Sequence, residues 1–502
     1  MERILLVHGY SAESKSSTPE SIETTYGPLP RLLRARFGAI VDELDLSRYI
    51  SLEDGLTIED ISRAMDRALR QDFPHLLAGG FNAITHSTGA LVVRNWMRRY
   101  WDPAQACPAK RVIHLAGANF GSGWAAIGRS NLAKWGRMVF QGAERGVHVL
   151  NALELGSGWT IQMHRELDSK VSAAPEGNRP LEFCMIGSQR PDEFSLIPVK
   201  YATENGSDGV VRVAATNLNY SYLKFVPAPL VHDLDPDVVA EWAAKATGVL
   251  PTDVRKPDLP IDFYMGRIGE SSHKTGVPIA VIDECSHSYK ASSILGGART
   301  SNQVLDLIAV ALDTGATGMG AAVTRFNQAT QATLDAVRPK KTVKYAVFIK
   351  IERQPQYDKF AQVVFRIFDQ YNAPVQHFNI YFNSFGGDAK AQKLIGDLFC
   401  DGHPNGVSSN TITFYLRLHK WTEDEEDKSK SDWVNQLALI NGCDLEIDGR
   451  EHGNPEISFV PFRYQLKADE LAEWVRSNET TVIDVHLYRM PSRKVFKIIE
   501  SP

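Results

Sequence analysis

Three observations predict an α/β protein, a mostly parallel sheet flanked by helices, followed by a separate all-β module. Over about the first 300 residues, short and continuously apolar runs alternate with amphipathic stretches, as buried parallel strands and their crossover helices require. Near Lys340-Lys341 the pattern changes to strict apolar–polar alternation, the mark of half-buried strands. Turn-like punctuation such as Gly386-Gly387-Asp388, Pro404-Asn405-Gly406 and Asp448-Gly449 then divides the rest of the chain.

The chain of 502 residues has room for two or three domains, and a hydrophobic content of 43% suits ordinary globular cores. Its formal net charge of -5 argues against nucleic-acid binding, which needs a clustered basic surface. The five cysteines, Cys107, Cys184, Cys285, Cys400 and Cys443, are scattered without CxxC pairs. They read as reduced thiols, with neither a disulfide framework nor a zinc site. Met1 to His8 enters an apolar strand at once, without signal-peptide layout, and no run approaches the length of a membrane span. The expected location is cytoplasmic, with export by a non-classical bacterial secretion system as the other route.

In chain order, the predicted strands of the first domain are residues 4–7, 39–43, 81–84, 111–116, 181–186 and 279–282. Residues 57–71 read as a helix, because Thr57 and Asp60 form a capping-box pattern and Ile58, Ile61, Met65 and Leu69 share one face. A second helix follows Ser87, with Leu91, Val92 and Trp96 inward. Residues 301–337 read as helical, with Val304, Leu305, Ile308 and Leu312 as a stripe. In the second module, alternation over 343–351 and 412–418 marks strands, joined by 363–368, 378–382, 457–462, 482–487 and 495–499. That number of short strands suggests a β-sandwich-like or jelly-roll module. The charged run 422–432 is a solvated loop. The expected domains are therefore 1–338, carrying a cap or lid insertion at about 122–180, and 339–502.

The chemistry centres on Thr85-His86-Ser87-Thr88-Gly89, placed between an apolar strand and a helical run. A serine on such a sharp turn is lifted clear of the backbone, where a base can activate it. The alternative is that Ser87 merely caps the helix. An acid belongs in a turn after a late strand, and Gly206-Ser207-Asp208-Gly209-Val210-Val211 offers Asp208; Asp192, Asp233 and Asp262 are rivals. A base belongs after the last strand, where Asp283-Glu284-Cys285-Ser286-His287 offers His287; His232 and His273 lack a strand to aim them. The oxyanion donors would be the backbone N–H groups of Thr88 and, after the first strand, of Tyr10 in His8-Gly9-Tyr10. His8 reads as a brace for that loop, and Gly9 lets the backbone approach a ligand.

These segments, together with Leu115-Ala116-Gly117-Ala118-Asn119-Phe120-Gly121-Ser122, resemble the α/β-hydrolase superfamily of serine lipases and esterases. The resemblance is to the branch of bacterial triacylglycerol lipases, PGAP1-like deacylases and lecithin:cholesterol acyltransferase-like enzymes, and it covers about residues 1–335. It implies an α/β-hydrolase fold and a triad of Ser87, Asp208 and His287. It places His8, Gly9, His86, Asn119 and Phe120 at the substrate cleft, and it calls for no metal or organic cofactor. Thr85 stands where the family usually has glycine, and Ala118 where it has proline.

Apolar residues between Ser122 and Arg179, Trp124, Trp135 and Phe140 among them, either pack on the sheet or form a lid over an acyl pocket that meets a lipid surface. The expected function is a lipase- or phospholipase-type serine ester hydrolase acting on acyl esters of lipids. An acyltransferase or short-chain esterase would use the same triad. A non-catalytic binding or scaffold protein on the hydrolase fold is the alternative from another class. The second module, with dispersed histidines and no constellation, would contact a protein partner or lipid.

Overall fold

The computed structural model describes residues 3–8, 26–44, 55–128, 147–190, 200–228, 265–288, 290–337, 342–346, 349–353, 359–422, 432–451 and 457–491. The chain divides into two units, Met1–Asn219 with Thr275–Lys359, and Tyr220–Lys274 with Phe360–Pro502.

The first unit begins with β1 (Arg3–His8), β2 (Ile40–Leu44), β3 (Phe81–His86), β4 (Ala109–Leu115) and β5 (Leu181–Gly187). The chain then contributes β6 (Tyr220–Val226) and β7 (Arg267–Lys274) to the second unit and returns as β8 (Ile279–Ile282). The six strands of the first unit pair in the order β2-β1-β3-β4-β5-β8, every pairing parallel. Every residue of β3 is buried, as a central parallel strand covered on both faces must be.

The helices α1 (Leu29–Phe37), α2 (Ile58–Gln71), α3 (Gly89–Tyr100), α4 (Val147–Leu153), α5 (Gly158–Ala173), α6 (Ser301–Asp313) and α7 (Met319–Val337) surround the sheet. Thr57 caps α2 as its sequence predicts: its hydroxyl accepts from the Asp60 N–H at 3.2 Å, and the Asp60 carboxylate accepts from the Thr57 N–H at 3.1 Å. That exchange with the Thr57 side chain, outweighing partial burial, lowers the Asp60 pKa. Ile58, Ile61, Met65 and Leu69 are all buried on one face. On the opposite side of the sheet, Ile4 and Leu6 share a core with Leu29 and Leu33 of α1, Val304, Leu305, Ile308 and Leu312 of α6, and Phe326 of α7. Residues 301–337 thus form two helices, interrupted around Gly315.

The alternating run 343–351 is a two-stranded antiparallel hairpin, β9 (Thr342–Ala346) and β10 (Ile349–Arg353). The second unit is built on β11 (Lys359–Asp369), β12 (His377–Ser384), β13 (Phe399–Pro404), β14 (Thr411–Thr422), β15 (Asp432–Asn435), β16 (Gly442–Arg450), β17 (Ile457–Val460), β18 (Phe462–Lys467) and β19 (Thr480–Pro491). With β6 and β7 these make one mixed sheet of 11 strands. Strand β19 is its spine: residues 480–487 pair in parallel with β11, residues 480–485 also with β6, and the last four turn antiparallel to β17. Two short helices, α8 (Ala389–Leu398) and α9 (Ala468–Trp474), supply Ile395, Leu398 and Leu471 to the core of this unit. The predicted strand at 495–499 lies outside the described residues.

The sequence assigns 220–274 to the first domain, whereas β6 and β7 pair in the second sheet. The reason is burial: Leu223 and Phe225 join the second core, beside Phe462 and Tyr464. Of the proposed lid, residues 129–146, including Trp135 and Phe140, lie outside the described residues. On either side of them, Trp124, Leu150, Leu153, Leu155 and Met163 are buried.

Candidate active site

Ser87 follows β3 directly and adopts φ 54°, a left-handed backbone that a side-chain-bearing residue holds at a cost of about 1–3 kcal/mol. Its surroundings fix that conformation. The Ser87 N–H donates to the Leu115 carbonyl at 3.2 Å, and its own carbonyl accepts from Ala118 at 3.3 Å and Ala90 at 3.2 Å. Thr88 is the N-cap of α3, and no side-chain cap hydrogen bond is made there. The reading of Ser87 as a plain helix cap is therefore not what this turn shows. Thr88 stands at the positive end of the helix dipole, where developing negative charge is favoured.

Asp208 sits in a tight turn at the end of a small-residue loop, fully buried. Its Oδ1 accepts from the backbone N–H groups of Val210 at 2.9 Å and Val211 at 2.8 Å. The other oxygen, Oδ2, lies 2.8 Å from Nδ1 of His287. A carboxylate can only accept, so His287 carries its proton on Nδ1, and in the neutral ring Nε2 keeps a lone pair. The backbones are joined as well, His287 N–H donating to the Asp208 carbonyl at 3.2 Å.

His287 reaches this place because β8 delivers the loop 283–288 past the end of β5. Gly187 makes the crossing possible: a Cβ there would lie 2.1 Å from the Cys285 carbonyl oxygen. His86, the neighbour of Ser87, braces the histidine loop. Its Nε2 donates to the His287 carbonyl at 3.1 Å, and the two rings lie 4.6 Å apart. Asp208 and His287 thus meet next to His86, which precedes the strained serine turn, at the carboxyl ends of β3 and β8, where ligands bind in open α/β sheets. Beside them, burial and the Asp208 charge hold the Cys285 thiol well above its ordinary pKa.

Of the rival residues, His273 alone is among those described. His273 lies on β7, paired with Glu479 at 3.1 Å, in the second unit. His232, Asp192, Asp233 and Asp262 lie outside the described residues, as do Gly9 and Tyr10. The β1 backbone sets His8 in register with His86, so the chain enters that loop beside the serine turn. Asn119 and Phe120 are buried, at 0% and 3% exposure, and make internal contacts. The Asn119 amide donates to the Thr216 carbonyl at 2.7 Å, and the Phe120 ring lies 4.9 Å from that of His164.

Sequence reasoning missed two sets of residues. The Ser122 hydroxyl donates to the Val210 carbonyl at 2.6 Å and the Trp124 indole to that of Gly209 at 2.9 Å, which pins the Asp208 turn. Beneath Ser87, Arg94, His114, His164, Asp168 and Glu182 form a buried polar network. Their signal was a polar residue inside an apolar run: Arg94 after Leu91-Val92-Val93, and His114 between Ile113 and Leu115. Among the described residues no group of three or more His, Cys, Asp or Glu could hold a metal ion.

A parallel sheet with helices on both faces and a strained serine after a central strand has the architecture of the α/β-hydrolases. No protein-family model matches the chain, and no curated protein matches it. Among solved structures the chain is similar to the phospholipase PlaB from Legionella pneumophila, at 23% identity and a TM-score of 0.75, over 100% of this chain and 97% of that chain. The same phospholipase in complex with thio-NAD gives 22% identity and a TM-score of 0.74, with the same coverage. A lipase from Bacillus licheniformis, BlEst2 in mature form, is similar over 43% of this chain and 79% of that chain, at 16% identity and a TM-score of 0.34. The fold is that of an α/β-hydrolase with a C-terminal β domain.

Proposed function

We propose that the chain is a serine ester hydrolase of the lipase or phospholipase type, cleaving acyl esters of lipids. The observation that carries this reading is the 2.8 Å contact between Asp208 and His287, held against a serine turn whose backbone is strained at φ 54°. The whole-chain likeness to a structure named as a phospholipase supports the lipid class of substrate.

In this mechanism the Ser87 hydroxyl attacks the ester carbonyl while His287 Nε2 takes its proton. The resulting imidazolium is stabilised by Asp208, whose Oδ1 is already saturated by two backbone N–H groups and cannot swing away. The tetrahedral oxyanion is received by the N–H groups of Thr88 and Tyr10. Collapse breaks the ester C–O bond, and His287 returns the proton to the departing alcohol. Water, deprotonated by the same nitrogen, then releases the fatty acid and regenerates Ser87. The apolar insertion around 122–180 would cover the acyl chain and meet the lipid surface. No helix of the described residues is long and apolar enough to cross a membrane.

The test is hydrolysis of p-nitrophenyl esters of graded chain length by the native protein and by Ser87→Ala, with fluorophosphonate labelling located by mass spectrometry. Activity and labelling at Ser87, both absent from the variant, are expected. A native protein that neither cleaves any ester nor labels would leave the non-catalytic reading standing. Activity confined to acetate and butyrate esters would remove the lid, and a positional assay on phospholipids would choose among phospholipid and neutral-lipid cleavage.

A further inference from the structure

Beneath the serine turn lies a buried chain of polar side chains that the ester-cleavage steps do not use. Arg94, on α3 and 0% exposed, is its hub. One guanidinium nitrogen donates to both oxygens of Glu182 on β5, another donates to Asp168 on α5 at 2.9 Å, and Nε donates to His164 Nδ1 at 2.9 Å. Two arms leave this hub. Through Glu182, His114 is held at 3.2 Å by Nε2, and its Nδ1 lies 3.0 Å from the Thr85 hydroxyl. Through His164, Nε2 reaches the Asn119 carbonyl at 2.5 Å.

The proton positions follow from the donors. A guanidinium cannot accept, so His164 accepts at Nδ1 and donates from Nε2 to Asn119. A carboxylate cannot donate, so His114 gives its Nε2 proton to Glu182, and neutral His114 receives the Thr85 hydroxyl proton at Nδ1. Both arms end next to Ser87. Thr85 is the last residue but one before it, and Ala118, beside Asn119, donates to the Ser87 carbonyl at 3.3 Å. The Ser87 N–H, in turn, is held by Leu115, the neighbour of His114.

Fold stability alone does not call for such a cluster, since well-packed apolar residues replace buried ion pairs with little or no loss. A left-handed serine does call for over-determined surroundings. We propose that Arg94, Glu182, His114 and His164 are positioning residues that fix the nucleophile turn from both sides, through Thr85 and through the Asn119 loop. Thr85 is then the keyed end of the network, and its hydroxyl does work that glycine could not. This inference rests on Ser87 being the nucleophile.

Thr85→Val keeps the shape and removes the hydroxyl, whereas Thr85→Ser keeps the hydroxyl. His164→Leu removes both hydrogen bonds, whereas His164→Gln can restore them. The readouts are kcat, KM, the rate of fluorophosphonate labelling, the thermal midpoint and amide exchange over residues 85–90. Expected are losses of about tenfold or more in kcat and labelling for Thr85→Val and His164→Leu, with KM nearly unchanged and faster amide exchange at the turn. The Ser and Gln variants should recover most of the rate. Native-like labelling by folded Thr85→Val, or equal loss in Thr85→Ser, would overturn the proposal while leaving Ser87 as nucleophile. If the native protein itself fails to label at Ser87, the functional reading falls and this one with it. Should His164→Leu not fold, the isosteric pair at Thr85 decides.

Discussion

Each unit of the molecule sets an arginine against carboxylate, fully buried in the first and half-buried in the second, and the two clusters are built differently. In the second unit Arg366 on β11 forks onto Asp484 on β19 with two contacts of 2.6 Å, and Tyr222 on β6 donates to the same carboxylate at 2.9 Å. Arg366 and Asp484 are register partners in neighbouring strands, so the cluster closes within one sheet and fixes strand pairing. In the first unit Arg94 draws on a strand and a second helix, and its arms run on to a loop and to the turn of a strained serine. A buried ion pair that closes on itself reads as architecture. One that leads, bond by bond, to a strained residue reads as support for a site.

The comparison breaks most sharply at Asp208. Asp208→Asn would place an amide where His287 needs an acceptor, turning the imidazole to the wrong tautomer, and kcat on a chromogenic ester should fall about 10⁴-fold with the fold intact. The arginines come next. Arg94→Met leaves buried Glu182 and half-buried Asp168 without their counter-charge and should lose about 3–5 kcal/mol in urea unfolding, with activity lost beyond the unfolded fraction. Arg366→Met leaves Asp484 its Tyr222 partner and should lose about 1–3 kcal/mol, with kcat of the folded protein unchanged. Equal catalytic damage from both would erase the distinction between the two clusters.

Much of the first unit was legible in sequence because its signals are local. The capping box at Thr57 and the apolar run ending at Ile84 each depend on residues within one turn or one strand. The Asp208 turn was legible for the same reason, since Asp-Gly before Val210-Val211 states its own geometry. What was not legible depends on distant partners. The run at 220–226 has the same pattern whichever sheet it joins, and its partner β19 lies more than 250 residues away. Arg94 on an apolar helix face reads as a side chain reaching for water until Glu182 and Asp168 are set beside it. Thr85 was visible only as a departure from glycine, and its meaning lay in His114, on another strand.

The thiols sharpen the comparison at smaller cost to the molecule. Cys107 in the first unit and Cys443 in the second are both pushed up to about 12, burial being the main cause, and Cys285 beside Asp208 is raised as well. Cys400 is exposed. Alkylation of the native protein near neutral pH should therefore give one fast adduct, at Cys400, located by peptide mass spectrometry. A fast adduct at Cys285 would show that the histidine loop opens, and would mark the first unit as the more mobile of the two.

The smallest effect concerns acid. His486 on β19 is buried and has its pKa lowered, first by desolvation and then by the charge of Lys224, against the opposing pull of its hydrogen bond to the Asp369 carbonyl at 3.2 Å. Its folded value therefore lies below the unfolded value of about 6.5, and unfolding takes up a proton. The contribution is complete above the unfolded pKa and is lost as pH falls through it toward the folded value. Urea unfolding of native protein and His486→Gln should thus differ in pH slope between about pH 5 and pH 7 and run parallel above it, by no more than one proton. An unchanged slope in His486→Gln would move the acid sensitivity of the second unit elsewhere.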